Sequence, residues 1–413
     1  MADPFDPALV HALVAEGSRD DHAPGRAIPQ VPAAEHRNHT PFPSQYFQAV
    51  DPQGEVFHVV ALRVTYDMHG VHDDGSVAYA EEQTPLATED AWDGEPNQGC
   101  PLWESDFAPY KPRCDVLVAR AVSRPPPGPL DRLTRGAVPQ STRWACGLAL
   151  NWTRRDGSRW RWVKHLAVTG PRRYGRLGLG EPQRCSEVAI DWRKACGGQL
   201  KLPATDLLDA AGKLVRAAGA ERWDVDERNP IGLGLNPSPG AAAPQLEVSM
   251  ERPYTGGPVS GCPAVGLGAI GRSWLPRRAL AGTHDDAWLA QQWPLPPLDF
   301  DMGYWNCAPA DQQIDHPAPG ARLSLLRLHP PAGQPPLATT HGVWRGQLPP
   351  EQLFLLWRLN VGAMVNRPLN LDTLLIDLGT QQICATYRGV LSARAGVRVI
   401  EARLADAADD LGF

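Results

Sequence analysis

The chain has 413 residues, and its 40 basic and 46 acidic side chains give a net charge of −6. This length can bury most of the surface that the unfolded chain exposes, so a stable core needs no metal or disulfide. The near-balance of charge excludes a general attraction to nucleic acid or to an anionic membrane. The 42 prolines and 39 glycines interrupt long helices and favour short strands joined by turns.

The eight cysteines are spread along the chain without C-x-x-C or zinc-finger spacing. We therefore predict reduced thiols in the core, with no metal site and no cofactor. The N-terminus lacks the basic start of a secretory signal. No stretch reaches the ~18 continuous apolar residues that a membrane helix needs. The prediction is a cytoplasmic protein without a membrane partner.

The first strands follow a polar, proline-rich segment at 1–41, which we predict to be an N-terminal arm with one short helix at Ala8–Ala15. Val56–Tyr66 is predicted to be a strand, because Val56, Val60, Leu62 and Val64 share one face under period-2 alternation. Val116–Val122 is apolar on both faces and is predicted to be a central strand.

The clearest hairpin signal joins Trp144–Thr153 to Arg159–Thr169. Both segments alternate in character, and Asp156-Gly157 between them is a strong turn signal. These two segments are therefore predicted to pair in an antiparallel ladder.

The middle of the chain has fewer strand patterns. Residues 204–219 have the amphipathic pattern of a helix, and 225–280 are rich in loop-forming residues. Asp285–Trp293 has room for two helical turns, with Asp285 as N-cap and Pro294 as the stop.

The last third of the chain returns to strands. The predicted strands are Arg322–Leu328, Leu353–Asn360, Asp372–Leu378 and Ile383–Leu391. Because no helix alternates regularly with strands, a doubly wound sheet is excluded. The predicted fold is mainly β, with two packed antiparallel, sandwich-like parts at 42–180 and 181–400. Long irregular loops rich in Pro, Gly and Trp, few short helices and a tail at 401–413 complete it.

One glycine-rich segment, Gly266–Gly271, matches G-x-G-x-x-G. A dinucleotide site needs a strand before this motif and a helix after it. Pro263 precedes the motif and Pro276 follows it closely, so we predict a loop.

Two histidine-containing clusters have side chains that can ligate metals. The first lies on a predicted turn, and the second lies in the arm without a helical pattern that would put its residues on one face. Both are interpreted as solvated polar segments. The clusters are Asp67, His69, His72, Asp73 and Asp74, and Glu35, His36 and His39.

Residues 152–176 carry eight basic side chains and one acidic side chain, interleaved with tryptophans. Basic grooves with stacking aromatics bind single-stranded nucleic acid, so this function is one alternative. Strand alternation favours a different arrangement, with Arg159 and Arg161 in solvent and the tryptophans in the core. The tryptophans are Trp152, Trp160 and Trp162.

Residues 281–313 concentrate aromatic, acidic and amide side chains among prolines, which is typical of an irregular loop held at many points. Glycosidases use paired carboxylates, so a carbohydrate-active hydrolase built on 284–305 is the other alternative. No nucleophile–base pair accompanies them. We expect the carboxylates to cap turns and the tryptophans to pack inward. The residues concerned are His284, Asp285, Asp286, Trp288, Trp293, Asp299, Asp301 and Trp305.

The order of motifs along the chain resembles one bacterial family. The motifs begin with FHVVALRVTYDMHG, EEQTPLATEDAWDGEP and WESDFAPYKPRCDVLVARA. They continue with ACGG at 195–198, NPIGLG at 229–234, AGTHDDAWL at 281–289, PLDFD at 297–301, APADQQ at 308–313 and LDTLLID at 371–377. The sequence is similar to the domain-of-unknown-function family encoded beside type VI secretion spike proteins and their toxic effectors.

This resemblance implies a cytoplasmic adaptor or chaperone, not an enzyme. Its implied partners are an effector with a PAAR-type tip or toxin domain and the VgrG spike onto which the effector is loaded. The resemblance supplies no catalytic residues and leaves the partner-binding residues unknown. Two departures from the family are an insertion at 204–219 and Cys196, where the family has an aromatic residue.

Overall fold

The computed structural model describes residues 28, 30–96, 98–128, 138–154, 156–202, 207–208, 214–216 and 222–405. The helix predicted at Ala8–Ala15 and residues 406–413 of the predicted tail lie outside the described residues.

The described chain is mainly β, as predicted. Its strands up to residue 202 are β1 (Glu35–Asn38), β2 (Ser44–Val50), β3 (Val56–Val71), β4 (Val77–Tyr79), β5 (Ala91–Asp93), β6 (Cys100–Trp103), β7 (Cys114–Ala119), β8 (Ala121–Ser123), β9 (Arg143–Thr153), β10 (Arg159–Thr169), β11 (Tyr174–Gly175), β12 (Gly178–Leu179), β13 (Val188–Ile190), β14 (Cys196–Gly197) and β15 (Gln199–Leu202). The later strands are β16 (Leu207–Leu208), β17 (Leu214–Arg216), β18 (Arg222–Val225), β19 (Leu233–Gly234), β20 (Leu246–Glu247), β21 (Gln313–Ile314), β22 (Arg322–Leu326), β23 (Leu328–His329), β24 (Val343–Gln347), β25 (Gln352–Leu359), β26 (Met364–Pro368), β27 (Asn370–Asp377), β28 (Gln382–Ser392) and β29 (Val397–Ala405).

Helical structure in the described residues is short. One α-helix, α1, spans Asp286–Gln291, inside the predicted Asp285–Trp293 segment. The remaining helical turns are of the 3-10 type, at Trp192–Lys194, Val259–Gly261, Arg277–Ala281, Met302–Trp305, Ala310–Gln312 and Ala393–Ala395. No helix in the described part of the chain has the length and apolar character needed to cross a bilayer.

The largest sheet has the order β2–β3–β28–β27–β7–β21, with β4 also paired to β3. In this sheet β7 and β27 pair in parallel, and all other neighbouring strands pair antiparallel. The sheet is therefore mixed. The central strand predicted at Val116–Val122 is buried except at Arg120. It is divided into β7 and β8 at Arg120, whose φ of 52° interrupts the extended backbone.

The second sheet has the order β20–β10–β9–β22–β24. The predicted hairpin is confirmed as β9–β10, which pair from Arg143 with Thr169 to Thr153 with Arg159. The predicted strands at Arg322–Leu328 and Asp372–Leu378 are also present, as β22–β23 and β27. β9 and β22 alternate because each buries one face, whereas β27 is buried on both faces.

A third sheet, β1–β29–β25–β26, joins the two ends of the described chain. β1 runs parallel to β29, and Glu35 pairs with Val399. β1 lies within the predicted arm at 1–41, and residues 401–405 of β29 lie in the predicted tail at 401–413. The parallel pairing of residues so far apart leaves no local signal, which is why the sequence pattern did not indicate it. The boundary at 180/181 between two parts stays a prediction.

The helix predicted at 204–219 is wrong at its described residues. Leu207–Leu208 and Leu214–Arg216 form an antiparallel ladder. It continues the ladder of β15 with β18, in which Leu202 pairs with Arg222. Pairing of the flanking strands therefore outweighs the helical pattern, since tertiary context routinely overrides propensity.

The three sheets share one contiguous core. Buried residues of every sheet belong to one cluster, for example Leu62, Leu148 and Leu355. Six of the eight cysteines are buried and two are half-buried, as expected for core thiols. A second, smaller cluster lies on the other face of the large sheet and includes Leu117 and Cys307. The large sheet is therefore covered on both faces.

Candidate functional site

The second face of the large sheet carries buried polar side chains in register. Arg63, Thr386, Thr373 and Asp115 lie side by side across β3, β28, β27 and β7. Asp106, from the segment over this face, accepts hydrogen bonds from Nη1 of Arg63 at 2.7 Å and from Oγ1 of Thr386 at 2.8 Å. A buried carboxylate is thus matched by a buried guanidinium.

The same network continues to the other end of the row. Nζ of Lys111 donates to Oδ2 of Asp115 and to Oγ1 of Thr373, both at 2.8 Å. Nε of Arg388 donates to Oδ2 of Asp372 at 2.5 Å. Burial lowers the pKa of Lys111, but the Asp115 carboxylate and other negative groups outweigh this and raise it above its ordinary value. We call Arg63, Asp106, Lys111, Asp115, Asp372 and Arg388 the buried ionic network.

We call residues 281–313 the tryptophan-rich segment. The buried ionic network holds the second half of this segment. Asp115 accepts hydrogen bonds from Nδ2 of Asn306 at 3.0 Å and from the backbone N–H groups of Cys307 at 3.0 Å and Ala308 at 3.1 Å. Nε2 of Gln312 donates to the carbonyls of Val116 at 2.8 Å and Leu267 at 3.0 Å. The second half of the segment is therefore held at many points, as predicted for an irregular loop of this composition.

A small cavity lies beside this network. It has a volume of about 10 Å³ and is lined by Lys111, Asp106, Thr373 and Cys384 among others. That is room for about one water molecule. The network therefore encloses charge instead of presenting it to a substrate.

In the first half of the tryptophan-rich segment, the carboxylates cap turns and the helix α1, as predicted. Asp285 accepts a hydrogen bond from the N–H of Trp288 at 2.8 Å and begins α1. Asp299 accepts from the N–H and Oγ1 of Thr283 at 2.9 and 2.7 Å, and Asp301 accepts from the N–H of Gly303 at 2.7 Å. The bonds from Thr283 lower the pKa of the Asp299 carboxyl, whereas a general acid needs a raised pKa.

The tryptophans of this half are only partly internal. Trp288 packs edge-on against His284 at 4.5 Å and Trp293 at 5.6 Å between ring centroids. Trp293 is 59% exposed, and Leu289 and Leu298 are 59% and 62% exposed. The expectation that the tryptophans pack inward is therefore wrong at Trp293. The physical reason is that α1 buries none of its residues and lies on the surface.

We predict that Asp285→Ala loosens α1 without unfolding the protein. Loss of an N-cap costs about 1 kcal/mol, which corresponds to amide exchange about five-fold faster in a locally opening segment. Hydrogen–deuterium exchange of the 286–292 peptide measures this, with the exposed Asp286→Ala as control. Equal exchange in both variants would contradict the capping role.

The glycine-rich motif is a loop, as predicted. The carbonyl of Leu267 accepts a hydrogen bond from the N–H of Val118 at 2.8 Å. A Cβ atom on Gly266 would lie 2.9 Å from the Trp192 ring. Gly266 therefore allows the loop to pack closely on this tryptophan.

The two histidine clusters are engaged in local and strand contacts. Asp67 accepts a hydrogen bond from the N–H of His69 at 2.9 Å, and Asp74 accepts from the N–H of Ser76 at 2.8 Å. His39 lies 3.9 Å from Glu401 on β29. Within the described ranges, no three His, Cys, Asp or Glu side chains are arranged to hold a metal ion.

The basic hairpin, formed by β9 and β10, places its arginines in solvent but does not bury all of its tryptophans. Arg159 and Arg161 are exposed, as predicted. Trp152 is buried in the core, but Trp160 is 42% exposed and stacks on Trp152 with ring centroids 6.4 Å apart. The prediction of a core position for Trp160 is therefore wrong, because this residue lies at the end of the ladder. Arg154 covers the exposed ring at 3.8 Å.

Sequence reasoning missed the buried ionic network. Its partners are separated by 43 residues in Arg63–Asp106 and by 16 in Asp372–Arg388. No motif spacing identifies such pairs. The available signal was a charged residue at a core-facing position, as at Arg63 between the buried Leu62 and Val64.

Comparison with known proteins gives one match. A family model described as "Uncharacterized protein conserved in bacteria (DUF2169)" matches residues 53–388. Neither a curated protein nor a solved structure matches the chain. The matched range includes the large sheet from β3 to β27, most of β28, the basic hairpin β9–β10 and the whole tryptophan-rich segment. The chain belongs to this family of uncharacterized proteins conserved in bacteria.

Proposed function

We propose that the protein is a cytoplasmic adaptor that binds a type VI secretion effector and helps load it onto the VgrG/PAAR spike. The order of motifs from FHVVALRVTYDMHG to LDTLLID supports this role. The protein acts by binding and covering the effector, without turnover.

The observation that carries the proposal is the arrangement of residues 284–301. Asp285, Asp299 and Asp301 are engaged in capping hydrogen bonds. In the same segment, the large apolar side chains of Trp293 and Leu298 face solvent. Exposed apolar side chains on a well-held segment favour docking over hydrolysis.

The test is co-expression of the full chain with the effector encoded beside its gene. We expect the tagged adaptor to recover the effector and to raise its soluble yield. Replacing Leu289, Trp293 and Leu298 together by aspartate should lower recovery at least about ten-fold, because buried aromatic anchors dominate interface energy.

The matched control is Leu177→Asp with Val361→Asp, since both side chains are highly exposed elsewhere on the surface. This control should retain the complex. Absence of any complex with the wild-type chain would refute the adaptor role.

A further inference from the structure

The second sheet has one face in the core and one face in solvent. Leu148, Leu166, Leu325 and Trp344 belong to the core face. On the opposite face, directly paired residues form rows across β10, β9, β22 and β24. Two adjacent rows are Arg161, Asn151, Arg322 and Gln347, and Val163, Ala149, Ser324 and Arg345.

This outward face is strongly basic. Arg159, Arg161, Arg322 and Arg345 are all exposed. In the described part of the chain, Arg322 is the only one of the four whose side chain has a side-chain partner. Its Nε donates a hydrogen bond to Oε1 of Gln347 at 3.0 Å. We call the face carrying these four arginines the basic sheet face.

The carboxylate on this side of the sheet is already neutralised. Among the outward positions of the four described ladders of this sheet, Glu247 on β20 is the one carboxylate. It is 4% exposed and lies in ion pairs with Arg143 at 2.6 Å and Arg172 at 2.5 Å. The four exposed arginines therefore present uncompensated positive charge on a chain whose net charge is −6.

The shape of the face suits a flat partner. Ala149 and Ser324 give it short side chains at the centre, with arginines on β10, β22 and β24 around them. Four strands at about 4.8 Å spacing and six residues at about 3.3 Å rise give an area about 14 Å wide and about 20 Å long. Arginine is the residue best suited to bidentate pairing with carboxylates.

The position of the aromatic rings favours a protein over single-stranded nucleic acid as the partner of the basic sheet face. Nucleic-acid platforms combine basic and stacking aromatic side chains on one surface. Here Trp152 is buried on the core side, and Trp162 donates from Nε1 to the carbonyl of Asp311 at 2.8 Å on that same side. His165 is the one ring that the described ladders place on the outward face. The face therefore offers arginines that can pair with carboxylates, but it lacks the aromatic platform on which bases stack.

We infer that the basic sheet face docks a flat, acidic protein surface of the effector. This inference rests on the proposed function and adds a second contact with the effector, besides the one at Leu289, Trp293 and Leu298, together with its chemistry. The partner surface presents Asp and Glu side chains spaced for Arg161, Arg322 and Arg345.

The experiment compares two triple variants in binding to the co-expressed effector at 50, 150 and 400 mM NaCl. The first is Arg161→Glu, Arg322→Glu and Arg345→Glu. The control is Arg176→Glu, Arg252→Glu and Arg398→Glu, which makes the same charge change at exposed sites off this face. We expect an affinity loss of about 100-fold in the first at 150 mM NaCl and less than about 3-fold in the control. Wild-type affinity should fall with salt, and that of the first variant should not.

The outcomes separate the two proposals. No binding by the wild-type chain refutes the adaptor role. Binding by the wild-type chain that is equally strong in both variants refutes the docking face alone. A labelled 20-nucleotide DNA strand that binds the wild type and not the first variant, while effector binding is unchanged, also refutes it. Circular dichroism and thermal unfolding confirm that both variants fold.

Discussion

Replacing Asp115 with alanine is expected to lower the free energy of unfolding by about 3–5 kcal/mol. The side chain is fully buried and accepts hydrogen bonds from Lys111, Asn306 and the backbone of Cys307 and Ala308. The variant leaves a buried ammonium without its carboxylate and two N–H groups without an acceptor. Urea unfolding followed by tryptophan fluorescence measures the loss.

The control is Glu227→Ala, whose carboxylate is 49% exposed and pairs with Arg278, which is also 49% exposed. An exposed pair contributes about 0–1 kcal/mol. Adding Lys111→Met to Asp115→Ala should recover part of the lost stability, because the unpaired charge is removed as well. A loss below about 1 kcal/mol in Asp115→Ala would show that the network is not a structural anchor.

The second large effect is expected in acid. Glu401 on β29 accepts hydrogen bonds from Nε of Arg358 at 2.6 Å and from Nε of Arg403 at 3.0 Å. These bonds lower the pKa of its carboxyl from 4.5 to about 2. A lowered pKa in the folded state means that the contribution is fully present above pH 4.5 and is lost as the pH falls to about 2.

We therefore expect Glu401→Gln to be less stable than the wild type by about 1–2 kcal/mol at pH 7, with the gap closing towards pH 2. This loss of stability is at the low end for hydrogen bonds between charged groups, because both arginines are more than one-third exposed and solvent screens them. Urea midpoints at pH 7, 4 and 2.5 measure this gap. A gap that stays constant with pH would mean that the carboxylate charge is not the cause.

Both predictions concern contacts between distant parts of the chain. Asp115 connects the central strand to the tryptophan-rich segment. Glu401 lies in the sheet that joins β1 to β29, where its partner in register is Arg37. Loss of either contact should therefore loosen a long-range connection and leave the local hairpins intact. The exposed surfaces proposed for docking depend on that same framework.

The sequence predicted elements whose signal is local. The β9–β10 hairpin follows from alternation and the Asp156-Gly157 turn, and α1 follows from the cap at Asp285. The loop at Gly266–Gly271 follows from the nearby prolines. The 204–219 helix failed because its pattern was also compatible with short paired strands.

The two surfaces proposed for docking depend on information that no single segment contains. The sequence indicated that Arg159 and Arg161 face solvent, but it did not place Arg322 and Arg345 beside them. Those arginines come from strands about 160–190 residues further on, and register alone brings them onto one face. Exposure of Trp293 likewise depends on what packs against α1.

By itself, the sequence determined a mainly β chain, its principal hairpins and the capping role of its loop carboxylates. Periodicity and turn chemistry act within a few residues, so they can be read from the chain directly. Only the tertiary structure decided which charges are buried in pairs and which form an exposed basic surface. The reason is that burial and charge pairing depend on contacts between strands far apart in sequence, which local patterns do not encode.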